Sequence, residues 1–164
     1  LALAVGVGGC GSGNRRAVAE AEGAVRSYLA ALSGRDGATV CSLLTPEAVG
    51  ELRLPVHRGS CARSVRASIG RVEAPEGRRF RSVKLQRLRT VVQGGGARVT
   101  ATVVEHYGRG RRTEVSVEDD VIYLSPTGGR WRLAKPSLIL YRAVGRGDVG
   151  LGTLRPPDGW PPAG

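Results

Sequence analysis

The sequence predicts an α+β domain, with N-terminal helices packed on a curved antiparallel β-sheet, over residues 15–144. Two observations predict it. Apolar residues recur at helical spacing through the first third of the chain, and from Phe80 onward the apolar period changes to two. A chain of 164 residues is long enough for one domain with its own core and too short for two ordinary ones.

Val18, Ala21, Val25, Tyr28, Leu29 and Leu32 share one face of a helix from Arg15 to Ser33, with Glu20, Glu22 and Arg26 on the others. Glu22 and Arg26 stand in the favourable order for an ion pair one turn apart, Asn14 or Ser12 is placed to cap the start, and Gly34 suits a left-handed stop. Asp36 is placed to cap a second helical segment through Leu44. Thr45 and Pro46 make an N-cap followed by a first-turn proline, and Ser60 opens a third segment through Ile69. Residues 72–79, with Pro75 and Gly77, read as a connector.

In the strand from Phe80 to Val92, Val83 and Leu85 occupy one parity and Leu88, Thr90 and Val92 the other, so the spacing predicts a bulge near Gln86 and Arg87. Gly94, Gly95 and Gly96 form a turn; they lack the following helix and the Lys-Ser/Thr pair of a phosphate-cradling loop. Residues 97–107 and 111–124 read as a hairpin. A turn centred on Arg109 would set Val103 opposite Val115, Ala101 opposite Val117 and Val99 opposite Asp119. The inward face then carries Glu105, Tyr107, Val117, Asp119, Val121 and Tyr123, and His106 points outward. After the turn at 126–129, Trp131 and Leu133 continue that face. Residues 138–144 pack back as a short helix or a further strand, and the Gly/Pro-rich tail, 145–164, is expected to be disordered, with Trp160 idle in it.

The net charge is +11, almost all of it from arginine. It favours contact with anionic lipid or a polyanionic envelope polymer. The arginines are scattered and few aromatics lie among them, so nucleic acid is not expected as a partner. Cys41 and Cys61 read either as a disulfide, in an oxidising compartment, or as buried thiols in a reducing one. His57 has no ligand spacing with them, so no metal is expected, and without a Cys-x-x-Cys neither is a redox role. No cofactor motif is present, and no segment after Cys10 is long and apolar enough to span a bilayer.

Leu1 to Gly9 is uncharged and ends Val7-Gly8-Gly9-Cys10. This resembles a bacterial lipoprotein signal, in which two small residues precede the cysteine that takes a diacylglyceryl group on its thiol. The resemblance implies a signal-peptide remnant at 1–9, a lipidated tether at 10–14 beginning at Cys10, and an extracytoplasmic address on the bacterial cell membrane. In that compartment Cys41 and Cys61 would pair.

The order of elements, the stretch Ala24 to Leu32 (AVRSYLAAL), the two cysteines and the closing Gly129 to Ala134 (GRWRLA) together resemble the nuclear transport factor two-like superfamily over Ala17 to Leu140. The resemblance implies a cystatin-like cone and, in small lipoproteins of this kind, a Cys41–Cys61 bond stapling the helices over the mouth of the sheet. Such cones host enzymes and non-enzymes alike. The reading preferred from sequence is non-enzymatic: a binding or accessory module of the envelope, its interior lined by Val25, Tyr28, Val103, Val117, Tyr123 and Trp131. Its partner would be an apolar small molecule or an envelope protein. The alternative is an isomerase- or dehydratase-like proton-transfer enzyme in which Asp119, near Glu105 and the tyrosines, is the catalytic carboxylate. Three consecutive acids, Glu118 to Asp120, more often mark an exposed rim, which is why the non-enzymatic reading leads.

Overall fold

The computed structural model describes residues 10–54, 59–71, 77–146, 149 and 153–161, with side chains from residue 13. Helix α1 (Cys10–Gly34) begins five residues ahead of the predicted start, so 10–14 is helical. The left-handed residue that stops it is Arg35 (φ 55°), one position after the expected glycine. Glu22 and Arg26 approach to 3.8 Å. Asp36 caps α2 (Gly37–Ser42), accepting from the Ala38 and Thr39 amides at 3.1 Å each. Thr45 caps α3 (Pro46–Glu51), whose first residue is the proline. Ser60 stands at the N-cap of α4 (Cys61–Ser68), but its hydroxyl makes no capping bond.

Cys41 and Cys61 are joined in a disulfide that ties α2 to α4 across a sequence separation of 20. By loop entropy that closure is worth about 3 kcal/mol. The two helices meet very closely at Gly37, where a Cβ would stand 2.1 Å from the Ala62 carbonyl oxygen, so this crossing requires glycine.

Strands β1 (Arg79–Gln93), β2 (Gly96–Arg109), β3 (Arg112–Thr127) and β4 (Arg130–Leu133) form one antiparallel meander in that order, an open sheet. Its register is interrupted on β1 between Phe80 and Ser82 and again between Leu85 and Arg87, the second being the predicted bulge at Gln86. Ser33 locks α1 to the bent strand, its hydroxyl donating to the Val83 carbonyl at 2.7 Å and accepting from the Val83 amide at 3.0 Å. Beyond β4, the Leu133 amide donates to Leu43 and its carbonyl accepts from Thr45, so the α2–α3 turn covers the sheet edge. Helix α5 (Leu138–Ala143) buries every residue except Arg142.

The second hairpin corrects the predicted register. Arg109 pairs with Arg112 across the two-residue turn Gly110-Arg111, and Gly110 has φ 57°. Val103 therefore lies opposite Glu118 rather than Val115, and Ala101 opposite Asp120. A displacement by an odd number of residues turns every β3 side chain over. Val115 and Val117 are thus 58% and 59% exposed on the outer face, whereas Ile122 and Leu124 enter the core. They join Ala21, Val25, Tyr28 and Leu32 of α1, Val99, Ala101 and Val103 of β2, and Ile139 and Leu140 of α5.

The described part of the tail, 153–161, packs on the domain instead of trailing from it. Trp160 meets the Tyr123 ring edge to face at 4.9 Å and lies against Gly96, where a Cβ would come within 2.8 Å of its indole nitrogen. The Tyr123 hydroxyl donates to the Leu154 carbonyl at 2.8 Å. The expectation of an idle Trp160 is corrected accordingly.

Candidate active site inside the cone

Strand alternation brings Glu105 and Tyr107 from β2 together with Glu118 and Asp120 from β3. Helix α5 adds Ser137, at its N-cap, and Arg142, and α1 adds Tyr28. The seven side chains form two adjoining groups.

In the first, Glu105 is fully buried. One of its carboxyl oxygens accepts from the Tyr107 hydroxyl and the other from Arg142 Nη1 at 3.0 Å. The same guanidinium nitrogen donates to Glu118, which is 36% exposed and marks where the group meets solvent. The Arg78 guanidinium lies 4.8 Å above the Tyr107 ring, and Phe80 touches that ring edge-on.

In the second group, Asp120 is 2% exposed. Its Oδ2 accepts from the Ile139 amide at 3.1 Å at the start of α5, while its Oδ1 is buried with no hydrogen-bond partner. Ser137 Oγ accepts from the Leu140 amide at 3.2 Å and pairs with the Tyr28 hydroxyl at 2.8 Å. A buried carboxylate oxygen left unbonded is costly, and that cost favours the protonated form.

The electrostatics follow from this burial. Burial pushes the Asp120 carboxyl up to about 6; the Ile139 amide, and after it the Leu138 amide and the Ser137 hydroxyl, pull it down, and the charge on Glu105 adds to the rise. Burial also raises Glu105, although Tyr107 and Arg142 oppose it. Tyr28 and Tyr107 are both held above the ordinary phenol range, Tyr28 chiefly by burial and Tyr107 by burial and then Glu105, so both stay neutral hydroxyls. Burial works against the Arg142 cation, but Glu105 and Glu118 outweigh it and hold the guanidinium charged. The result is one carboxyl poised near neutrality beside a fixed hydroxyl pair, and a second acid clamped by a cation. Both acids are raised by burial, and a buried acid held near neutrality beside hydroxyl donors is suited to taking and returning a proton. Among the described residues, no cluster of His, Cys, Asp and Glu is arranged to hold a metal.

Of the residues singled out from sequence, Val25, Tyr28 and Val103 are inside. Val117 is not, because the register turns it outward. Asp119 is corrected for the same reason: it is exposed, and its carboxylate accepts from Thr102 Oγ1 at 2.6 Å on the outer face. Tyr123 is buried on the outer face beneath Trp160 rather than in the interior. Trp131 is half-buried beside a surface cleft of about 290 Å³ between the first turns of α1 and the β3–β4 turn. Asp120, Ser137 and Arg142 were missed as site residues. The three-acid run flagged the right place, and only the turn length decides which of its members points inward.

No protein-family model matches the chain, and no curated protein matches it. Solved structures do. A protein of unknown function from Mycobacterium tuberculosis superposes with a TM-score of 0.53 at 14% identity, over 79% of this chain and 75% of that one. A protein from Streptomyces avermitilis described as a dehydratase of the nuclear transport factor two-like family gives 0.50 at 22% identity, over 74% and 93%. The fold resembles that of the nuclear transport factor two-like superfamily. The expectation of a non-enzymatic domain is corrected here, because a protein described as a dehydratase has a similar fold. Superfamily likeness gives the fold; the case for chemistry rests on the buried acids of this chain.

Proposed function

We propose that the chain is a small-molecule proton-transfer enzyme of the dehydratase or isomerase type, with Asp120 as its acid–base group. The observation that carries this reading is the fully buried Asp120 carboxyl, with one oxygen unpartnered and a pKa near 6, next to the Tyr28–Ser137 hydroxyl pair. Asp120 Oδ1 takes the proton from a carbon beside a carbonyl. The C–H electron pair moves into the enolate, whose oxygen receives a hydrogen bond from the Tyr28 hydroxyl. Return of the proton to a departing β-hydroxyl breaks the C–O bond and releases water; return to a different carbon gives isomerisation. The approach proposed for substrate is past Arg142 and Glu118, whose side chains are 21% and 36% exposed.

The test is wash-in of deuterium from heavy water into the α-position of a panel of β-hydroxy ketones, followed by NMR. The wild type is expected to exchange at least one member, faster as pH rises through about 6. Asp120→Asn should slow that exchange by about 10²–10⁴-fold. Exchange no faster than in Asp120→Asn for every member would refute the reading.

We also propose that Cys10 carries a lipid that holds the domain outside the cytoplasm. The Val7 to Cys10 pattern supports this, and the Cys41–Cys61 bond suits an oxidising compartment. Cys10→Ser is expected to move the protein from the membrane to the soluble fraction of its own cell, and unchanged fractionation would sink the proposal.

A further inference from the structure

Four of the arginines scattered along the sequence gather at one corner of the fold, at a cavity whose lining includes none of the acids in the cone. A cavity of about 690 Å³ lies where the end of α1 and the starts of α2 and α4 meet. Arg35, Arg63, Arg66 and Arg71 line it, and all four are exposed at its walls. Asp36 is the one carboxylate among the lining residues. It accepts from the Ala38 and Thr39 amides on one oxygen and from the Thr39 hydroxyl at 2.6 Å on the other, its charge acts on Arg66, and it is outnumbered four to one by the arginines. The arginines are therefore left in excess of negative charge among the described residues.

The scaffold holds this excess in place. The left-handed turn at Arg35 points the chain from α1 into α2, Gly37 brings α2 against the first turn of α4, and the Cys41–Cys61 bond fixes the two helices together. Ser60 leaves the opening amides of α4 without a side-chain acceptor, and Ser60 and Ala62 border the cavity. Like charges repel when nothing lies between them, so four guanidiniums collected around one concave space are most stable with an anion in it. Planar guanidiniums match phosphate oxygens in pairs, which favours phosphate over a carboxylate of lower charge.

We propose that this cavity is a binding site for a phosphate-bearing ligand, held by Arg35, Arg63, Arg66 and Arg71. The shared chemistry is a phosphate monoester or diphosphate group, supplied either by a free small molecule or by a lipid headgroup.

The experiment uses the full chain and two probes, inorganic pyrophosphate by titration calorimetry and sedimentation with phosphatidylcholine vesicles with or without phosphatidic acid. Two double variants are compared with the wild type: Arg63→Gln with Arg66→Gln inside the cavity, and Arg87→Gln with Arg89→Gln on the exposed face of β1, which removes the same charge elsewhere. Pyrophosphate binding is expected to weaken with added salt. It should fall about tenfold for each cavity arginine removed and be retained in the β1 variant. Binding of pyrophosphate assigns the site to a free ligand. Binding only to vesicles containing phosphatidic acid, lost in the cavity variant alone, assigns it to a lipid headgroup. Absence of binding to either probe, or equal loss in the two variants, would overturn the proposal.

Discussion

Asp120→Asn is expected to stabilise the folded chain at pH 8 by about 2 kcal/mol while removing the proposed activity. The carboxyl stands near 6 in the folded state against an ordinary value of 3.8, a difference of about two pKa units worth about 1.4 kcal/mol each. Because the folded state binds this proton more tightly, the wild type gains stability as pH falls from about 6 to about 4 and loses it again as pH rises through that window. Above it the buried charge weighs against folding in full. Asparagine keeps an acceptor for the Ile139 amide and carries no charge, so that penalty is absent. Its amide group needs a partner where Oδ1 had none, which is why the gain falls short of the full titration energy. Urea unfolding at pH 4 and pH 8 measures it. The wild type should be markedly more stable at the lower pH as far as this group is concerned, and the variant much less pH-dependent. Glu105, which is also raised, titrates with the same sign and remains in the variant, so the slope shrinks without vanishing. A variant less stable than the wild type at pH 8 would mean that Asp120 is held as a satisfied structural ion, and the acid–base role would go with it. A gain in stability coupled to lost activity is the exchange expected where a functional group is kept in a strained setting.

How far the sequence reveals this site depends on one turn. The long amphipathic helix, the Asp36 and Thr45 caps and the Gln86 bulge were legible because each is set by neighbours within a few residues. The inward face of β3 was not. Val115, Val117, Val121 and Tyr123 make the odd parity look like the apolar one, yet two of those four are the exposed valines. What overrides the pattern is non-local: the two-residue turn at Gly110-Arg111 sets the pairing, and α5 supplies Arg142 and the Ile139 amide that make inward acids tolerable. Tyr123 is apolar-facing only because Trp160 folds back over it from beyond the domain's last helix. The arginine cavity is hidden for the same reason, since Arg35 and Arg71 are brought together by the packing of α2 on α4 and by nothing in their spacing.

Arg142→Met is expected to cost about 3 kcal/mol of stability at neutral pH, and Glu105→Gln in the same chain to restore more than half of it. Arg142 is the cation that balances Glu105, a carboxyl with 1% of its side chain exposed, and methionine of similar length leaves that charge buried with only the Tyr107 hydroxyl to bind it. Removing one partner of a buried pair is severe because the other is stranded; removing both is mild, since the pair's mutual attraction largely repays desolvation that the double variant never incurs. Arg142 retains some contact with solvent, which places the loss at the lower end of the range for buried pairs. The sign with pH distinguishes this from lost packing. Without Arg142, Glu105 is raised further, so acid neutralises it and the deficit of the single variant should shrink as the pH is lowered, whereas a packing defect would persist at every pH. Urea denaturation of the four chains of this cycle at pH 4 and pH 7 gives the coupling energy directly. Additive losses, or a deficit unchanged by acid, would show that Glu105 does not depend on Arg142 for its charge. The Arg142 contact would then be incidental to the charge on Glu105, and so to the part that this charge plays in raising the Asp120 carboxyl.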